Sequence, residues 1–180
     1  LISLEELSNK LADIRKLIIE KHQSLFLPEL DDLIYKVRLF GYHFAALDIR
    51  QDSRIHNQIL QSIAEARPGL LPENYFNMSS PERIQVLENV SGDLEPDSFT
   101  DELTKNTLGS VRAIRLIQKM NGEKGSNRYI ISNNQSALNV YEVFALFRLT
   151  GYGPELPIDI VPLFETINDL TNAETVMSEL

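Results

Sequence analysis

Polar and charged side chains stand at the ends of three stretches that the sequence predicts to be β-strands. They are Asp48, Arg50, Gln51, Ser132, Asn134 and Glu165. A guanidinium such as that of Arg50 can hold a carboxylate or a phosphate through two parallel hydrogen bonds. The carboxylate of Glu165 offers the hard oxygen that a divalent cation such as magnesium prefers. These residue types therefore favour binding of a phosphate or carboxylate group beside a metal ion.

The first stretch, residues 44–52, is an apolar run that ends in charge. In a strand, Ile49 points to one face, whereas Asp48 and Arg50 point to the other. Helices usually cover both faces of a parallel sheet, so two charges on one face need partners. Two interpretations stay open: an internal Asp48–Arg50 pair where the strand end reaches solvent, or a ligand site in which Asp48 is a buried partner that orients its neighbours.

Each of the other polar positions also has a purely structural interpretation. Glu165 is placed to interact favourably with the dipole of a following helix. Ser132 and Asn134 belong to the residue types that most often cap helices and form turns. His56 lies six residues beyond Arg50, where it is either catalytic or, as the pattern favours, a surface or capping histidine.

Apolar residues at three- and four-residue steps predict the helices, and β-branched runs predict the strands. The predicted strands cover residues 44–52, 128–132 and 158–165. The predicted helices cover residues 3–22, 28–40, 53–67, 101–120 and 136–149, with a short helix from residue 80 and a last helix from residue 171. In the helix at 101–120, Leu103 and Met120 are expected to face the core.

Strands that alternate with helices pair in parallel, so the fold class is α/β, predominantly helical, and either a barrel or an open sheet. In both architectures ligands bind at the carboxyl ends of the strands. We therefore expect Arg50, Ser132 and Glu165 to meet at one edge of the sheet.

Composition restricts the class of partner. The 180 residues carry a formal charge of -9, which argues against a nucleic-acid surface, since such a surface needs clustered Lys and Arg. No apolar run is long enough to cross a membrane, so no membrane partner is expected. The absence of cysteine fits a reducing compartment such as the cytoplasm. The chain is expected to be a single piece of one larger domain, without an internal boundary, because both ends read as cuts through a longer polypeptide.

Two motifs resemble one enzyme family. The first is Leu47-Asp48-Ile49-Arg50-Gln51-Asp52-Ser53 followed by His56, and the second is Val161-Pro162-Leu163-Phe164-Glu165-Thr166-Ile167-Asn168-Asp169-Leu170. Both are similar to stretches of phosphoenolpyruvate carboxylases and stand in the family's order. Residues 133–139 depart from the commoner family pattern after the second strand.

The resemblance implies a TIM-type β/α barrel with inserted helices, of which this chain holds about three strands. It implies a lyase-type enzyme that carboxylates phosphoenolpyruvate with bicarbonate to give oxaloacetate and phosphate, with Mg²⁺ or Mn²⁺ bound and assembled as a homo-oligomer. By the resemblance, Arg50 contacts the phosphate of the substrate and Glu165 is one of two acidic metal ligands.

Several family motifs have no counterpart in the chain. They are the Thr-x-His-Pro-Thr-Glu motif, the Gly-Tyr-Ser-Asp-Ser segment with the second metal ligand, and the Phe-His-Gly-Arg-Gly-Gly loop. The 180 residues alone are therefore expected to bind metal weakly and to lack carboxylase activity. We expect either self-association, which open sheet edges favour, or an atypically closed, helix-rich packing. The alternative is a stand-alone helical interaction or regulatory module without catalysis.

Overall fold

Three parallel strands lie at the centre of the structure, a computed structural model that describes residues 2–43 and 45–180. The strands are β1 (Asp48–Asp52), β2 (Arg128–Ser132) and β3 (Asp159–Pro162), in the order β1-β2-β3. The register places Arg50 beside Ile130 and Ile130 beside Val161. The predicted α/β class and the parallel pairing are confirmed.

In the described part of the chain, seven α-helices surround or extend this sheet. They are α1 (Leu4–Lys21), α2 (Leu27–Phe40), α3 (Ser53–Ala66), α4 (Ser80–Asn89), α5 (Glu102–Asn121), α6 (Ala137–Leu149) and α7 (Ile167–Ser178). The connection from β1 to β2 contains α3, α4 and α5, whereas the connection from β2 to β3 contains α6. Within the described ranges, every helix is too short or too polar to span a bilayer.

Two helix starts differ from the predicted ones. Asp52, rather than Ser53, caps α3, because its carboxylate accepts the amide hydrogen of Arg54. The last helix begins at Ile167 instead of residue 171, since Thr166 and Asp169 form a capping box that satisfies the first-turn amides. The second shift places Glu165 immediately before a helix cap.

Two strands are shorter than predicted. Residues 45–47 precede β1, and the exposed Leu47 donates its amide hydrogen to the carbonyl of Gly125 over 3.0 Å. Phe44, the first residue of the predicted strand, lies outside the described residues. β3 ends at Pro162, which has no amide hydrogen for a ladder. The three strands are therefore only four or five residues long.

Helices α5 and α6 pack on one face of the sheet. Tyr129 and Ile131 of β2 are fully buried there against Ile114 and Phe147. A second buried cluster joins α6 to α3 and α4 through residues such as Leu60 and Leu146. Full burial of each such aliphatic side chain contributes about 1.5–3 kcal/mol. α6 takes part in both clusters, which explains why apolar residues lie around most of its circumference.

The inward face of α5 differs from the prediction at its ends. Leu103 and Met120 were expected to be buried, but both are exposed. The buried stripe begins at Thr104 and continues through Leu108 and Val111, at steps of four and three residues. A threonine can occupy such a stripe when its hydroxyl is satisfied, and Thr104 Oγ1 donates to Asp101 Oδ2 over 2.6 Å.

The opposite face of the sheet is charged at both ends. Asp48, Arg128 and Asp159 are adjacent in the register and exposed, forming a row at the amino ends of the strands. Ile130 and Val161 are half-buried in the middle, on the same face because side chains alternate along a strand. Arg50 also lies on this face, and its guanidinium is directed to the carboxyl edge of the sheet.

Candidate active site

An ion pair joins the two residues that the sequence singled out most strongly. Arg50 Nη2 donates to Glu165 Oε1 over 2.7 Å, although the residues are 115 positions apart in the chain. The two side chains are 55% and 44% exposed, respectively. The ion pair is therefore open to solvent and accessible to a small anion or cation.

The sheet and a helix cap hold the pair in place. Arg50 is the middle residue of β1, paired in register with Ile130 of the central strand. Glu165 lies between the end of β3 and Thr166, the N-cap of α7. The carboxylate of Asp169 accepts the amide hydrogens of Glu165 and Thr166 over 3.1 and 2.9 Å. These bonds fix the backbone that carries Glu165.

An open cavity of about 280 Å³ lies beside the pair. Its lining residues are Arg50, Asp52, Ser132, Asn133, Glu165, Thr166 and Asp169. The expectation that Arg50, Ser132 and Glu165 meet at one edge is thus confirmed. Asn133 and Thr166 directly follow the predicted strands and were expected at this edge, whereas Asp169 was not. The Thr166-x-x-Asp169 spacing, a capping-box pattern, was the signal that could have found it.

Two further predicted edge residues do not line this cavity. Gln51 follows Arg50 in β1, so its side chain leaves the opposite face of the sheet, and its Oε1 accepts the amide hydrogen of Asp52 over 3.0 Å. Asn134 is only 1% exposed, and its side-chain nitrogen and oxygen have no partner among the described residues. The structure therefore separates both from the Arg50–Glu165 pair.

Asp48 does not pair with Arg50. Its carboxylate accepts from Arg128 Nε over 3.0 Å, and the Asp48 side chain is 36% exposed. Both expectations for Asp48, the internal Asp48–Arg50 pair and the buried orienting role, are wrong. The reason is the register, which places Arg128 of β2 directly beside Asp48 and leaves Arg50 for Glu165.

Asp52 and Asn133 join the ends of β1 and β2. The Arg54 guanidinium, followed by the Arg54 backbone amide, holds the pKa of Asp52 at about 2, and the Asn133 side chain contributes a further hydrogen bond. Ser53 Oγ donates to the carbonyl of Asn133 over 2.6 Å. Asn133 has a φ of 53°, in the left-handed region that asparagine tolerates better than most residues. The turn after β2 is thus held against the start of α3.

His56 belongs to the core rather than to the surface or the cavity. The side chain is fully buried, and its Nε2 lies 3.0 Å from the hydroxyl of Tyr129. Burial lowers the pKa of His56 to about 4, since a low-dielectric interior disfavours the charged ring. The favoured prediction of a surface or capping histidine is therefore wrong, and a neutral, structural histidine takes its place.

The buried His56 makes stability depend on pH. Its folded-state pKa of about 4 lies below the ordinary value of 6.5, so the unfolded chain takes up a proton first as the pH falls. As the pH falls from 7 to 5, protonation of His56 in the unfolded chain is expected to lower the free energy of unfolding by about 2 kcal/mol. Urea unfolding of wild type and His56→Gln at both pH values measures this. Equal acid sensitivity of the two proteins would contradict it.

The described residues provide only part of a metal site. Nowhere in residues 2–43 and 45–180 do three His, Asp or Glu side chains cluster as metal ligands would. The Asp169 carboxylate is occupied by backbone amides, and hydrogen bonds from Thr166 are the main cause that holds its pKa below the ordinary range. Asp52, the other carboxylate that lines the cavity, pairs with Arg54 and is 27% exposed. Glu165 is the most exposed of these carboxylates at 44%, so the donor set fits one ligand of a divalent cation and no more.

The fold and the site define an α/β protein whose functional groups lie at the carboxyl ends of parallel strands. The family model described as phosphoenolpyruvate carboxylase matches residues 1–180, and the chain belongs to this family. Similar relatives, each named phosphoenolpyruvate carboxylase, occur in Thermosynechococcus vestitus (34% identity, 89% of this chain), Nitrosomonas europaea (32%, 93%) and Synechocystis sp. (33%, 98%). The chain spans only 16%, 19% and 18% of those relatives, respectively.

Proposed function

We propose that these residues form part of the catalytic domain of an enzyme that carboxylates phosphoenolpyruvate with bicarbonate. The observation that carries the proposal is the convergence of Arg50 and Glu165, 115 positions apart, at the carboxyl edge of a parallel sheet. Family membership over residues 1–180 supports it. In the reaction, a bicarbonate oxygen attacks phosphorus and the enol oxygen leaves, giving carboxyphosphate and the enolate of pyruvate. The carboxyl carbon then bonds to the enolate carbon, and phosphate is released with oxaloacetate.

The role proposed for Arg50 is to hold the phosphate of phosphoenolpyruvate. Its guanidinium is exposed, points to the cavity and already binds an anionic oxygen, that of Glu165, at 2.7 Å. A phosphate oxygen would compete for the same N–H groups. Charge-assisted hydrogen bonds of this type stabilise a phosphoryl group as charge develops during transfer.

The role proposed for Glu165 is to supply one ligand for Mg²⁺ or Mn²⁺. The half-exposed carboxylate lies next to the phosphate contact, and magnesium typically uses one or two carboxylates together with substrate oxygens and water. When bound, such a cation supplies Lewis-acid stabilisation of negative charge on oxygen. The remaining protein ligand must come from outside the part of the chain that the structure describes.

The sheet is proposed to be a segment of a TIM-type barrel. Two features support this: α5 and α6 pack on one face, and the opposite face carries charged groups at both ends of a short apolar middle. In such barrels the functional groups stand at the carboxyl ends of the strands, as Arg50 and Glu165 do. The intact enzyme is proposed to be a homo-oligomer.

The first test is an assay for oxaloacetate with the purified 180 residues and with an intact protein that contains them. We expect turnover with the intact protein and none with the 180 residues, because one accessible carboxylate makes a poor magnesium site. Coupling to malate dehydrogenase measures the product. Clear turnover by the 180 residues alone would contradict the proposed need for further ligands.

One observation favours the alternative of an interaction module. The α1–α2 hairpin exposes large apolar side chains, among them Leu17, Phe26 and Leu39, and exposed apolar surface is typical of a contact site. Titration of the intact protein with phosphoenolpyruvate in the presence of Mn²⁺ separates the two functions. Absence of binding would favour the module.

A further inference from the structure

We propose that Gln135 positions Glu165 through Asp169, and so tunes the affinity of the cavity for a divalent cation. The inference rests on the proposed role of Glu165 as a metal ligand. It assigns a function to the turn after β2, where residues 133–139 depart from the commoner family pattern.

The two carboxylate oxygens of Asp169 accept hydrogen bonds from different segments of the chain. Oδ2 accepts the amide hydrogens of Glu165 and Thr166 over 3.1 and 2.9 Å. Oδ1 accepts from Nε2 of Gln135 over 2.9 Å. Asp169 is only 5% exposed, so these bonds are shielded from competing water. The orientation of one carboxylate therefore links the turn after β2 to the backbone of Glu165.

Gln135 is itself anchored to the neighbouring turn. Its Nε2 is 3.4 Å from Oδ1 of Asn133, and its backbone amide donates to Asn139 Oδ1 over 3.0 Å. The carbonyl of Asn133 in turn accepts from Ser53 Oγ over 2.6 Å. The chain of contacts thus runs from the start of α3 through the turn after β2 to the cap of α7.

Glu165 depends on this chain of contacts because little else fixes its side chain. Among residues 2–43 and 45–180, its carboxylate has one recorded protein partner, Arg50. A metal ligand must be held within a fraction of an ångström of its productive position. With a half-exposed side chain, the position of Glu165 is set mainly by its backbone, and that backbone is held by Asp169.

The test measures Mn²⁺ binding by electron paramagnetic resonance, without substrate, in the intact enzyme that contains these residues. Gln135→Met removes the hydrogen bond without adding charge, and Gln135→Glu places a second carboxylate against Asp169. We expect both to weaken Mn²⁺ binding about tenfold, as loss of an outer partner of a metal ligand commonly does. Coulomb attraction alone predicts the reverse for Gln135→Glu, since an added negative charge attracts the cation.

The double variant Gln135→Glu with Asp169→Asn tests the contact itself. The amide introduced at position 169 can donate to the carboxylate introduced at position 135, while its oxygen still accepts the amide hydrogens of Glu165 and Thr166. The double variant should therefore recover most of the wild-type affinity for Mn²⁺. Ser178→Ala, which removes an exposed hydroxyl bonded within α7, is the matched control and should bind Mn²⁺ as wild type does. A circular dichroism spectrum and a thermal midpoint like those of wild type show that the single variants have not simply unfolded.

The outcomes separate the inference from the proposed function. If Glu165→Gln binds Mn²⁺ as tightly as wild type, Glu165 is not a ligand and the proposed function of this residue fails. If Glu165→Gln loses binding while Gln135→Met keeps wild-type affinity, or Gln135→Glu binds more tightly, Glu165 remains a ligand and the positioning role of Gln135 is overturned.

Discussion

Replacement of Glu165 by glutamine in the intact enzyme is expected to reduce turnover by about a thousandfold and to abolish its dependence on the metal. The substitution keeps the shape of the side chain but removes the anionic oxygen proposed to bind the cation. Lewis-acid stabilisation contributes several kcal/mol to such a transition state, and about 1.4 kcal/mol corresponds to a factor of ten in rate. The fold should persist, because the Arg50–Glu165 pair is half-exposed and such pairs contribute only about 0–1 kcal/mol.

Steady-state rates across a range of Mg²⁺ concentrations measure this effect. Glu174→Gln is the matched control, because Glu174 lies exposed on α7 and the same chemical change there should leave both turnover and metal dependence unaltered. Retained metal-dependent turnover in Glu165→Gln, with an unchanged circular dichroism spectrum, would reject Glu165 as a ligand.

Arg50→Lys is expected to lower kcat/KM for phosphoenolpyruvate by about 10²–10³, the usual cost of removing one preorganised donor to a developing charge. Lysine keeps the positive charge but lacks the planar fork that holds two phosphate oxygens together. Arg50→Gln, which also loses the charge, should be at least as severe. Because the guanidinium is 55% exposed, neither change should disturb the core.

The control for this experiment lies on the same face of the same sheet. Arg128 is exposed at the amino end of β2, paired with Asp48, and two residues before the register partner of Arg50. Arg128→Lys should leave kcat/KM at its wild-type value. A loss of similar size in Arg128→Lys and Arg50→Lys would show that charge on this face matters in general, and that Arg50 has no specific phosphate contact.

The elements with strong local patterns could be predicted from the sequence. Residues 128–132 are β-branched and aromatic between turn residues, and β2 has those bounds. The stripe that begins after Ser3 predicted α1 to within a residue at either end. The meeting of Arg50 and Glu165 followed from a rule of topology, that parallel strands present their carboxyl ends at one edge. Their proposed roles in catalysis stay predictions.

What could not be predicted depends on contacts between distant segments. Asp48 pairs with Arg128 because of the strand register, which no local pattern encodes. His56 is buried because the hydroxyl of Tyr129, 73 positions away, provides a polar partner in the core. The start of α7 was ambiguous, since both Thr166-x-x-Asp169 and Thr171-x-x-Glu174 match a capping box. In the structure Thr166 and Asp169 form the capping box, and the helix begins at Ile167.

The separation of Arg50 and Glu165 along the chain has a consequence for folding. Because this contact joins residues 115 positions apart, its formation costs the conformational entropy of a long loop, and contacts of this kind form slowly. Each of the two crossover connections must fold before the three strands can align. The ion pair is therefore expected to be among the last contacts to form, so that partly folded chains, including those still being synthesised, contain helices but no assembled cavity.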